Sequence, residues 1–556
     1  METTAIHNTG QSPEHSRNKE RWLCISLVAL TFLTYWRVVG LGYIWDDDNY
    51  ILNNWTLRSL AGLKAIWFEP LSIPQYYPFV HTTYWLEYQL WGNHPLGYHL
   101  VNVLLHSGSC VLLWQIMKRL ELKGAWLAAA LFAIHPVNVE TVAWVTERKN
   151  TLSVLFMLTA LLLYLKFDRT WQADRSAKQK VGWYIASLVA FVGAMLSKTV
   201  ACSLPAVLLL LLWWQANLSW RDWKRFLPLA PMFVIGIALG LVTVWVEKHH
   251  VGASGEEWSL SLIARCLLAG RVIWFYLSKL LLPDPLMFIY PRWQIDTGIW
   301  WQYLFPAGVL AGIMVLWCCR KRFGRGPLVA WLAYIGTLFP ASGFINVYPF
   351  RYSYVADHFQ YHASPHMYAL LGCLLAASGI HLRKIHNSIP AITASCLLMV
   401  LMLLSWRYQP AYTSEKSLWA DVIQKNPDAW IAHNNHGILL LHEQQYEDAI
   451  TDFDKAIELK ADHANAFANR SACWEALGEF QKAQNDIMHA ITLDPVNHKL
   501  ANMAGAFFAR RGDTRNALIC FRTASRMMPK DLPSRLNLAT ALVDDGQLEE
   551  ARNELK

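Results

Sequence analysis

The chain has 556 residues, too many for a single hydrophobic core, so we expect at least two domains. Hydrophobic residues make up 54% and charged residues only 16%. Ordinary soluble proteins have about 25% charged residues, so the composition argues against a wholly soluble protein. The formal net charge of +8 comes from Lys and Arg in short segments between apolar runs. This distribution indicates membrane orientation and attraction to lipid phosphates, and it argues against a nucleic-acid partner.

The N-terminal segment, residues 1–22, is mostly polar and carries Arg17, Lys19 and Arg21 directly before the first apolar run. No small-residue cleavage site follows, so we expect an uncleaved first membrane helix with this segment on the cytoplasmic side. Apolar runs that approach the roughly 20 residues of a bilayer span then recur up to residue 405. They predict an all-α, polytopic membrane helical bundle with about eleven spans, near 23–42, 98–117, 123–137, 151–167, 182–197, 200–216, 227–247, 303–319, 327–342, 366–382 and 389–405.

Short basic loops set the orientation of these spans, because Lys and Arg are enriched on the cytoplasmic side. Residues 258–282 are apolar enough to cross, but they carry Arg265, Arg271 and Lys279. The basic loops share one side only if this segment does not span, so we predict that it enters or lies along the membrane. The C-terminus is then extracytoplasmic, together with the long loops at 43–97, 138–150, 248–302 and 343–365.

Three consecutive aspartates, Asp46, Asp47 and Asp48, stand at the mouth of the first span, followed by Tyr50. Adjacent carboxylates at a membrane surface are costly to desolvate and repel each other, which favours a functional role. A carboxylate there can take a proton from an acceptor hydroxyl while a second acid orients it or holds a divalent cation. The alternative is a solvated helix N-cap. These three aspartates alone do not decide whether the site needs a metal ion.

Cations in the next loops are candidates for binding a lipid-borne phosphate. Arg148 and Lys149 follow Glu147 in the loop 138–150, and Lys198 interrupts two apolar runs. Such cations stabilise the negative charge that grows on a departing phosphate. The alternative is that they are interfacial side chains that extend toward water.

The segment 351–362 is too polar and aromatic for a span and contains Arg351, Asp357 and His358. Its rings and hydrogen-bonding groups suit a sugar or a sugar phosphate, with an interfacial aromatic belt as the alternative. The predicted phosphate-binding residues are therefore Arg148, Lys149, Lys198 and Arg351. The candidate substrate-binding residues are Asp48, Tyr50, Glu140, Glu147, Asp357 and His358, and His135 is a further candidate only through the family resemblance described below.

Beyond residue 405 the composition becomes that of a soluble helical protein with a period of 34 residues. Small residues recur at this spacing: Gly478, Gly512 and Gly546, and likewise Ala449, Ala483, Ala517 and Ala551. The pattern resembles the tetratricopeptide repeat over 430–556, preceded by a linker and half-repeat at 406–429. Stacked helix pairs form a concave surface suited to extended peptides, so we expect a protein or peptide partner.

The acidic motif resembles the first external loop of GT-C glycosyltransferases, which take sugars from polyprenyl-phosphate donors. Further resemblance lies in the run from Leu131 to Pro136, which includes His135, in Glu140, and in Glu147-Arg148-Lys149. Joined to the repeats, this membrane portion resembles the transmembrane and tetratricopeptide repeat-containing O-mannosyltransferases and their bacterial relatives. The resemblance implies that Asp46 is the catalytic base, Asp47 the second catalytic acid and Tyr50 the motif's aromatic residue. Two positions depart from the family pattern, with Asn150 in place of Asp and His358 in place of Arg.

The leading hypothesis is therefore a membrane glycosyltransferase that moves a sugar, with mannose as one candidate, from a polyprenyl-phosphate donor to a hydroxyl acceptor, expected to be a protein. The bacterial character of the resemblance implies the inner membrane, with the repeats on the periplasmic side. A non-catalytic scaffold that recruits envelope proteins is the alternative. A transporter of lipid-linked sugars is less favoured, because few charged residues fall within the predicted spans.

Overall fold

The computed structural model describes residues 13–173, 176–215, 222–248, 255 and 258–555. Throughout this part of the chain the regular structure is helical, with no β-strand, which confirms the predicted all-α class. The chain divides into two compact units, Met1–Leu418 and Trp419–Lys556. The division falls inside the predicted linker and half-repeat. Parts of four predicted segments lie outside the described residues: 1–12 of the N-terminal segment, 216 of the span 200–216, 249–254 and 256–257 of the third long loop, and 556 of the repeats.

The first unit is built from helices of very different lengths. They are α1 (Pro13–Thr34), α2 (Leu60–Phe68), α3 (Pro78–Trp91), α4 (Pro95–Arg119), α5 (Ala125–Ile134), α6 (Val139–Ala143), α7 (Arg148–Gln172), α8 (Ala177–Met195), α9 (Leu204–Gln215), α10 (Trp223–Phe226), α11 (Ala230–Val246), α12 (Leu262–Leu281), α13 (Leu304–Cys318), α14 (Arg320–Phe323), α15 (Gly326–Leu338), α16 (Ser364–Leu382) and α17 (Ile389–Tyr408).

Six helical segments in the described part of this unit are long and apolar enough to cross a membrane: Pro95–Arg119, Val145–Gln172, Trp223–Val246, Trp300–Cys318, Ser364–Leu382 and Ile389–Tyr412. The number rises to seven if Ala125–Ile134 and Pro136–Ala143, bent by 54°, form one span. Other predicted spans correspond to helices that are shorter or more polar, such as α1, α8, α9 and α15. The total of eleven spans stays a prediction.

The candidate site lies at the N-terminal ends of α4 and α7, which pack along each other in the bundle. After α1 the chain turns back so that its acidic loop covers these ends. His99 Nε2 on α4 lies 3.2 Å from the carbonyl oxygen of Gly42, and Asn102 Nδ2 donates to the carbonyl oxygen of Trp144 at 3.0 Å. Buried polar contacts between distant segments thus fix the loop on the bundle.

The segment that was ambiguous in the sequence forms α12, which is not among the six membrane-crossing candidates. Its two arginines bind different partners. Arg265 Nη1 donates to the carbonyl oxygen of Gly343 at 2.6 Å, and the Arg271 guanidinium lies 4.2 Å from the centre of the Trp293 ring. Both arginines therefore hold neighbouring loops, and the non-spanning placement of this segment stays a prediction.

Helix α18 (Glu415–Lys425) runs across the division between the units. The second unit contains α19 (Trp430–His442), α20 (Tyr446–Leu459), α21 (Ala464–Ala476), α22 (Phe480–Leu493), α23 (His498–Arg510), α24 (Thr514–Met527), α25 (Leu532–Asp544) and α26 (Leu548–Glu554). These pairs confirm the predicted repeat architecture. Small residues are required where helices touch: a Cβ at Gly505 would lie 2.6 Å from the Phe521 ring.

The turn inside each helix pair needs a left-handed residue, which is why glycine recurs there. Gly478, Gly512 and Gly546 have φ of +80°, +73° and +77°. In the pair α19–α20 the equivalent residue is Gln444, which adopts φ +62°. A non-glycine residue with φ in this left-handed region is strained by about 1 kcal/mol or more. The turn of the first helix pair therefore bears a conformational strain that the glycines of the later pairs avoid.

Candidate active site

The acidic loop, the loop 138–150 and the segment 351–362 meet around a cavity of about 330 Å³ in the first unit. Its polar lining includes Asp46, Tyr50, Glu140, Glu147, Lys149 and His358, and its aromatic lining includes Trp45, Trp144, Phe288, Tyr348 and Tyr352. Residues from three parts of the chain that the sequence singled out separately therefore share one site. The mixture of rings with a few charged groups is typical of a small-molecule site.

Asp46 presents its carboxylate to this cavity. Trp45, directly before it, has φ +48°, a strained conformation for a bulky residue, and its ring packs edge-on against Phe288 and Tyr352. Burial raises the pKa of Asp46 to about 6, while Lys149 opposes the rise and Glu147 adds to it. A carboxyl group with this pKa is largely ionised at neutral pH, yet it is a stronger base than an ordinary aspartate.

Asp47 points away from the cavity and is fully buried. One carboxylate oxygen accepts hydrogen bonds from Thr146 N at 2.8 Å and Thr146 Oγ1 at 2.5 Å, and the other accepts from Ile44 N at 2.9 Å. Burial raises the pKa of Asp47 to about 7, and the bonds from Thr146 oppose the rise. Its contacts tie the acidic loop to the segment that leads into α7, which is a positioning role.

Asp48 is exposed and does not line the cavity. The three adjacent aspartates therefore point in three directions, and their carboxylates do not converge on one metal ion. Across the described residues, no group of three or more His, Cys, Asp or Glu side chains is arranged to hold a metal ion.

A network of charges centred on Glu147 forms one wall of the cavity. Glu147 Oε1 lies 3.0 Å from Lys149 Nζ and 3.8 Å from His358 Nε2, and Glu147 Oε2 lies 3.7 Å from Lys198 Nζ. Burial lowers the pKa of Lys198 to about 8, although Glu147 opposes the decrease. Lys149 lines the cavity, whereas Lys198 lies behind Glu147 and does not. Lys149 is thus the cation available to a ligand, and Lys198 balances the charge of Glu147.

Arg148, a predicted phosphate-binding residue, lies outside the cavity and is fully buried. It forms a bidentate ion pair with Glu87, and its remaining donors bind Thr83, Asn102 and the carbonyl oxygen of Tyr98. A guanidinium has five N–H donors, and all five are used within the protein. This geometry argues against phosphate binding by Arg148 and for a structural role.

Three other predicted residues also stand outside the cavity lining. Arg351 Nη1 donates to Tyr348 Oη at 2.8 Å, so it supports the aromatic wall from behind. Asp357 Oδ1 accepts from Tyr290 Oη at 3.0 Å, and His135 Nε2 lies 3.1 Å from the carbonyl oxygen of Leu280. Their contacts are with the protein, which indicates that they shape the site rather than touch a ligand.

Gln75 lines the cavity and binds Glu247 behind it, although the sequence singled out neither residue. Tyr50 Oη donates to Gln75 Oε1 at 3.0 Å, and Gln75 Nε2 donates to Glu247 Oε1 at 2.7 Å. Burial raises the pKa of Glu247, while the contacts from Tyr348 N and Gln75 oppose the rise. A lone acid directly after the apolar run of α11 is the signal that could have found Glu247.

Comparisons with known proteins relate the chain to mannosyltransferases and to repeat proteins. Residues 74–245 match the family model described as dolichyl-phosphate-mannose-protein mannosyltransferase, and residues 432–463 match the tetratricopeptide repeat model. The protein O-mannosyl-transferase TMTC3 of Homo sapiens is 22% identical over 533 residues, covering 84% of this chain and 55% of that protein. The Drosophila melanogaster protein O-mannosyl-transferase Tmtc3 is 24% identical, covering 87% of this chain and 60% of that protein.

The fold and the site thus define a polytopic membrane protein with a mannosyltransferase-type domain and tetratricopeptide repeats. More specifically, the chain is homologous to the TMTC O-mannosyltransferases across most of its length, which confirms the predicted resemblance. The chain spans little more than half the length of TMTC3 of Homo sapiens. A crystal structure of MamA matches 25% of this chain and 82% of its own, with 18% identity and a TM-score of 0.23.

Proposed function

We propose that this chain is a membrane glycosyltransferase that transfers mannose from a polyprenyl-phosphate donor to a hydroxyl group of a protein. The observation that carries this proposal is the Asp46 carboxylate facing a cavity that also contains Lys149. A base and a cation around a space of about 330 Å³ suit a sugar with a phosphate leaving group on one side and an acceptor hydroxyl on the other.

In the proposed reaction the acceptor oxygen attacks the anomeric carbon of the sugar. The bond between that carbon and the donor phosphate oxygen breaks, and its electron pair goes to the phosphate. Asp46 takes the proton of the acceptor hydroxyl as the new glycosidic bond forms. Lys149 stabilises the negative charge that develops on the leaving phosphate. Because the acceptor attacks from the face opposite the phosphate, the configuration at the anomeric carbon is inverted.

The surrounding residues support these two groups. Glu147 is shared by Lys149 and Lys198, and Asp46 also interacts with Lys149, so two acids balance the two lysines beside the cavity. The rings of Trp45, Trp144 and Tyr352 offer apolar faces against which a sugar can pack. We assign substrate contacts to these rings and to Tyr50.

The repeat unit supplies the surface that we assign to the protein acceptor, because stacked helix pairs suit extended peptides. We further propose that Asp46 and the repeats share the extracytoplasmic side. In a bacterium this is the periplasmic side of the inner membrane. The basic segments between the spans support this orientation.

The test of Asp46 is an Asp46→Asn variant, with Asp48→Asn as the matched control. Both remove one carboxylate of the same motif, but only Asp46 lines the cavity. In proteoliposomes given polyprenyl-phosphate mannose and an acceptor peptide, Asp46→Asn should transfer sugar about a hundredfold more slowly or worse. Asp48→Asn should match the unsubstituted protein. Unchanged transfer by Asp46→Asn would remove Asp46 from the mechanism.

Removal of residues 426–556, which keeps the first unit and α18 whole, separates the enzyme from the scaffold alternative. An enzyme without its repeats should still bind the donor and hydrolyse it slowly, because the cavity lies wholly in the first unit. A scaffold whose function resides in the repeats should retain neither activity. The measurement is the release of free mannose from the donor by the truncated protein.

A further inference from the structure

A second and larger cavity, of about 690 Å³, lies within the membrane unit between α4, α7, α9, α15 and α16. Its walls are almost entirely apolar and include Leu113, Met117, Leu161, Leu211, Ala330 and Leu370. Apolar walls offer water too few partners to hold it, so hydrocarbon is the matching occupant.

This cavity is separate from the candidate active site. The two cavities share no lining residue. On α7, Lys149 lines the first cavity and Met157 the second, and the buried Ser153 lies between them. Ser153 Oγ lies 2.9 Å from Nε2 of His362, which is also buried. Along α7 this polar contact thus lies between the residues of the two cavities.

The dimensions of the cavity match one leaflet of a bilayer. Along α16 it extends from Pro365 to Ala377, twelve residues apart, which is about 18 Å of helix axis. Half of a hydrocarbon core is about 15 Å thick. On α4 the cavity is lined by the C-terminal half, and Met117 is about 22 Å along the axis from Asn102, which binds the carbonyl oxygen of Trp144 beside the first cavity. The cavity therefore reaches toward the end of the bundle opposite Asp46.

Basic residues surround this far end. Phe323, Gly324 and Gly326 line the rim, and four cations lie among or beside them: Arg320, Lys321, Arg322 and Arg325. Within the described part of the chain, none of the four forms an ion pair. The guanidinium groups of Arg320 and Arg325 lie 4.1 Å and 4.7 Å from the ring centres of Trp317 and Trp213. Arginine beside tryptophan is typical of the headgroup region of a bilayer.

We propose that this cavity binds an anionic phospholipid, with one acyl chain inside and the phosphate at the basic rim. Basic pockets between membrane helices recognise anionic headgroups through the uncompensated positive charge. The basic rim lies away from the cavity of Asp46 and Lys149, where the donor's phosphate is placed in the proposed reaction, which disfavours the donor's own polyprenyl tail as the occupant. The site is distinct from the proposed transfer reaction, and its test does not depend on that activity.

The test is a titration of the purified full-length chain in detergent with phosphatidylglycerol or phosphatidylcholine, read by native mass spectrometry. One phosphatidylglycerol should bind per chain, at least about fivefold more tightly than phosphatidylcholine, because a single rim cation already favours an anionic headgroup by about fivefold. The double variant Arg322→Glu with Arg325→Glu should abolish this preference. Lys64→Glu, a charge reversal at an exposed site far from the rim in sequence, should keep it.

A second variant tests the cavity itself. Ala369→Phe fills part of its volume and should weaken binding of phosphatidylglycerol at least fivefold. The control is Ala311→Phe, because Ala311 is exposed on α13 and does not line the cavity. The proposal is overturned if both lipids bind equally to the unsubstituted chain or if neither the rim nor the filling variant changes binding. It is also overturned if Ala369→Phe blocks a polyprenyl phosphate and leaves phosphatidylglycerol binding intact.

Discussion

His358 Nδ1 lies 2.7 Å from Glu140 Oε1, and the backbone N–H of His358 donates to Glu140 Oε2 at 3.2 Å. One carboxylate from the loop 138–150 thus holds both the ring and the backbone of the late segment 351–362. Asn150 Nδ2 adds a third bond, to the carbonyl oxygen of His358 at 3.1 Å. Segments more than 200 residues apart are therefore locked into one wall before any substrate arrives, which is the preorganisation that catalysis requires.

The pH dependence of transfer should be bell-shaped. Asp46 must be ionised to accept a proton, so kcat/KM should fall as the pH drops through about 6. Lys198 loses its proton above about pH 8, after which Lys149 alone compensates Glu147 and is less available to the donor phosphate. The alkaline limb should therefore appear as a rise in the KM for the donor.

The check on the alkaline limb is Lys198→Arg, because a guanidinium stays protonated at every accessible pH. This variant should keep the acid limb near pH 6 and lose the rise in KM above pH 8. A pH profile identical to that of the unsubstituted chain would contradict the assignment of Lys198.

Asp47→Ala should destabilise the membrane unit, whereas Asp46→Ala should not. Loss of the Asp47 carboxylate leaves the donors of Ile44 N, Thr146 N and Thr146 Oγ1 buried without their acceptor. We expect a loss of at least about 2 kcal/mol. Tryptophan fluorescence during thermal unfolding in detergent measures it. Equal unfolding temperatures for the two variants would mean that Asp47 does not anchor the loop.

Glu87→Gln should be among the most destabilising single changes in the membrane unit. It would leave the guanidinium of Arg148 fully buried without its counter-ion, at a cost of about 3–5 kcal/mol. The matched control is Glu20→Gln, which breaks the exposed pair with Lys118 and should cost less than about 1 kcal/mol. Thermal unfolding in the same detergent compares the two, and similar losses would contradict a structural role for Arg148.

Gln444→Gly should stabilise the first helix pair of the repeat unit. Glycine adopts φ +62° without the strain that Gln444 bears, and we expect a gain of up to about 1 kcal/mol. Amide hydrogen exchange of the full chain should slow across α19 and α20 and stay the same in α23 and α24. Faster exchange in α19 would show that the Gln444 side chain contributes more than its backbone costs.

Much of the fold could be predicted because its signals are local. The period of 34 residues identified the helix pairs, and their apolar and small residues pack as expected, with Ala483, Ile487 and Phe521 in one buried cluster. The apolar runs identified the helical character of the membrane unit. They did not settle the number of spans, because helices such as α9 and α15 are shorter than a bilayer is thick.

The site was predictable only in part, because neighbours in a loop can face opposite ways. Asp46 and Asp47 are adjacent, as are Arg148 and Lys149, yet one member of each pair faces the cavity and the other is bound inside the protein. What decides the outcome is a partner far along the chain, such as Glu87 for Arg148. The spacing of residues in the sequence does not indicate which distant residue will be such a partner.

The buried contact between Ser153 and His362 bears on whether protons can leak across the membrane through this protein. Along α7, the charged cavity lies on one side of this contact and the apolar cavity on the other. A continuous aqueous path between them would let protons run down the transmembrane potential at every turnover. Ser153 and His362 are buried and lie where such a path would pass along α7, so in the proposed mechanism they would oppose it while a hydrophilic sugar is handled beside the bilayer core.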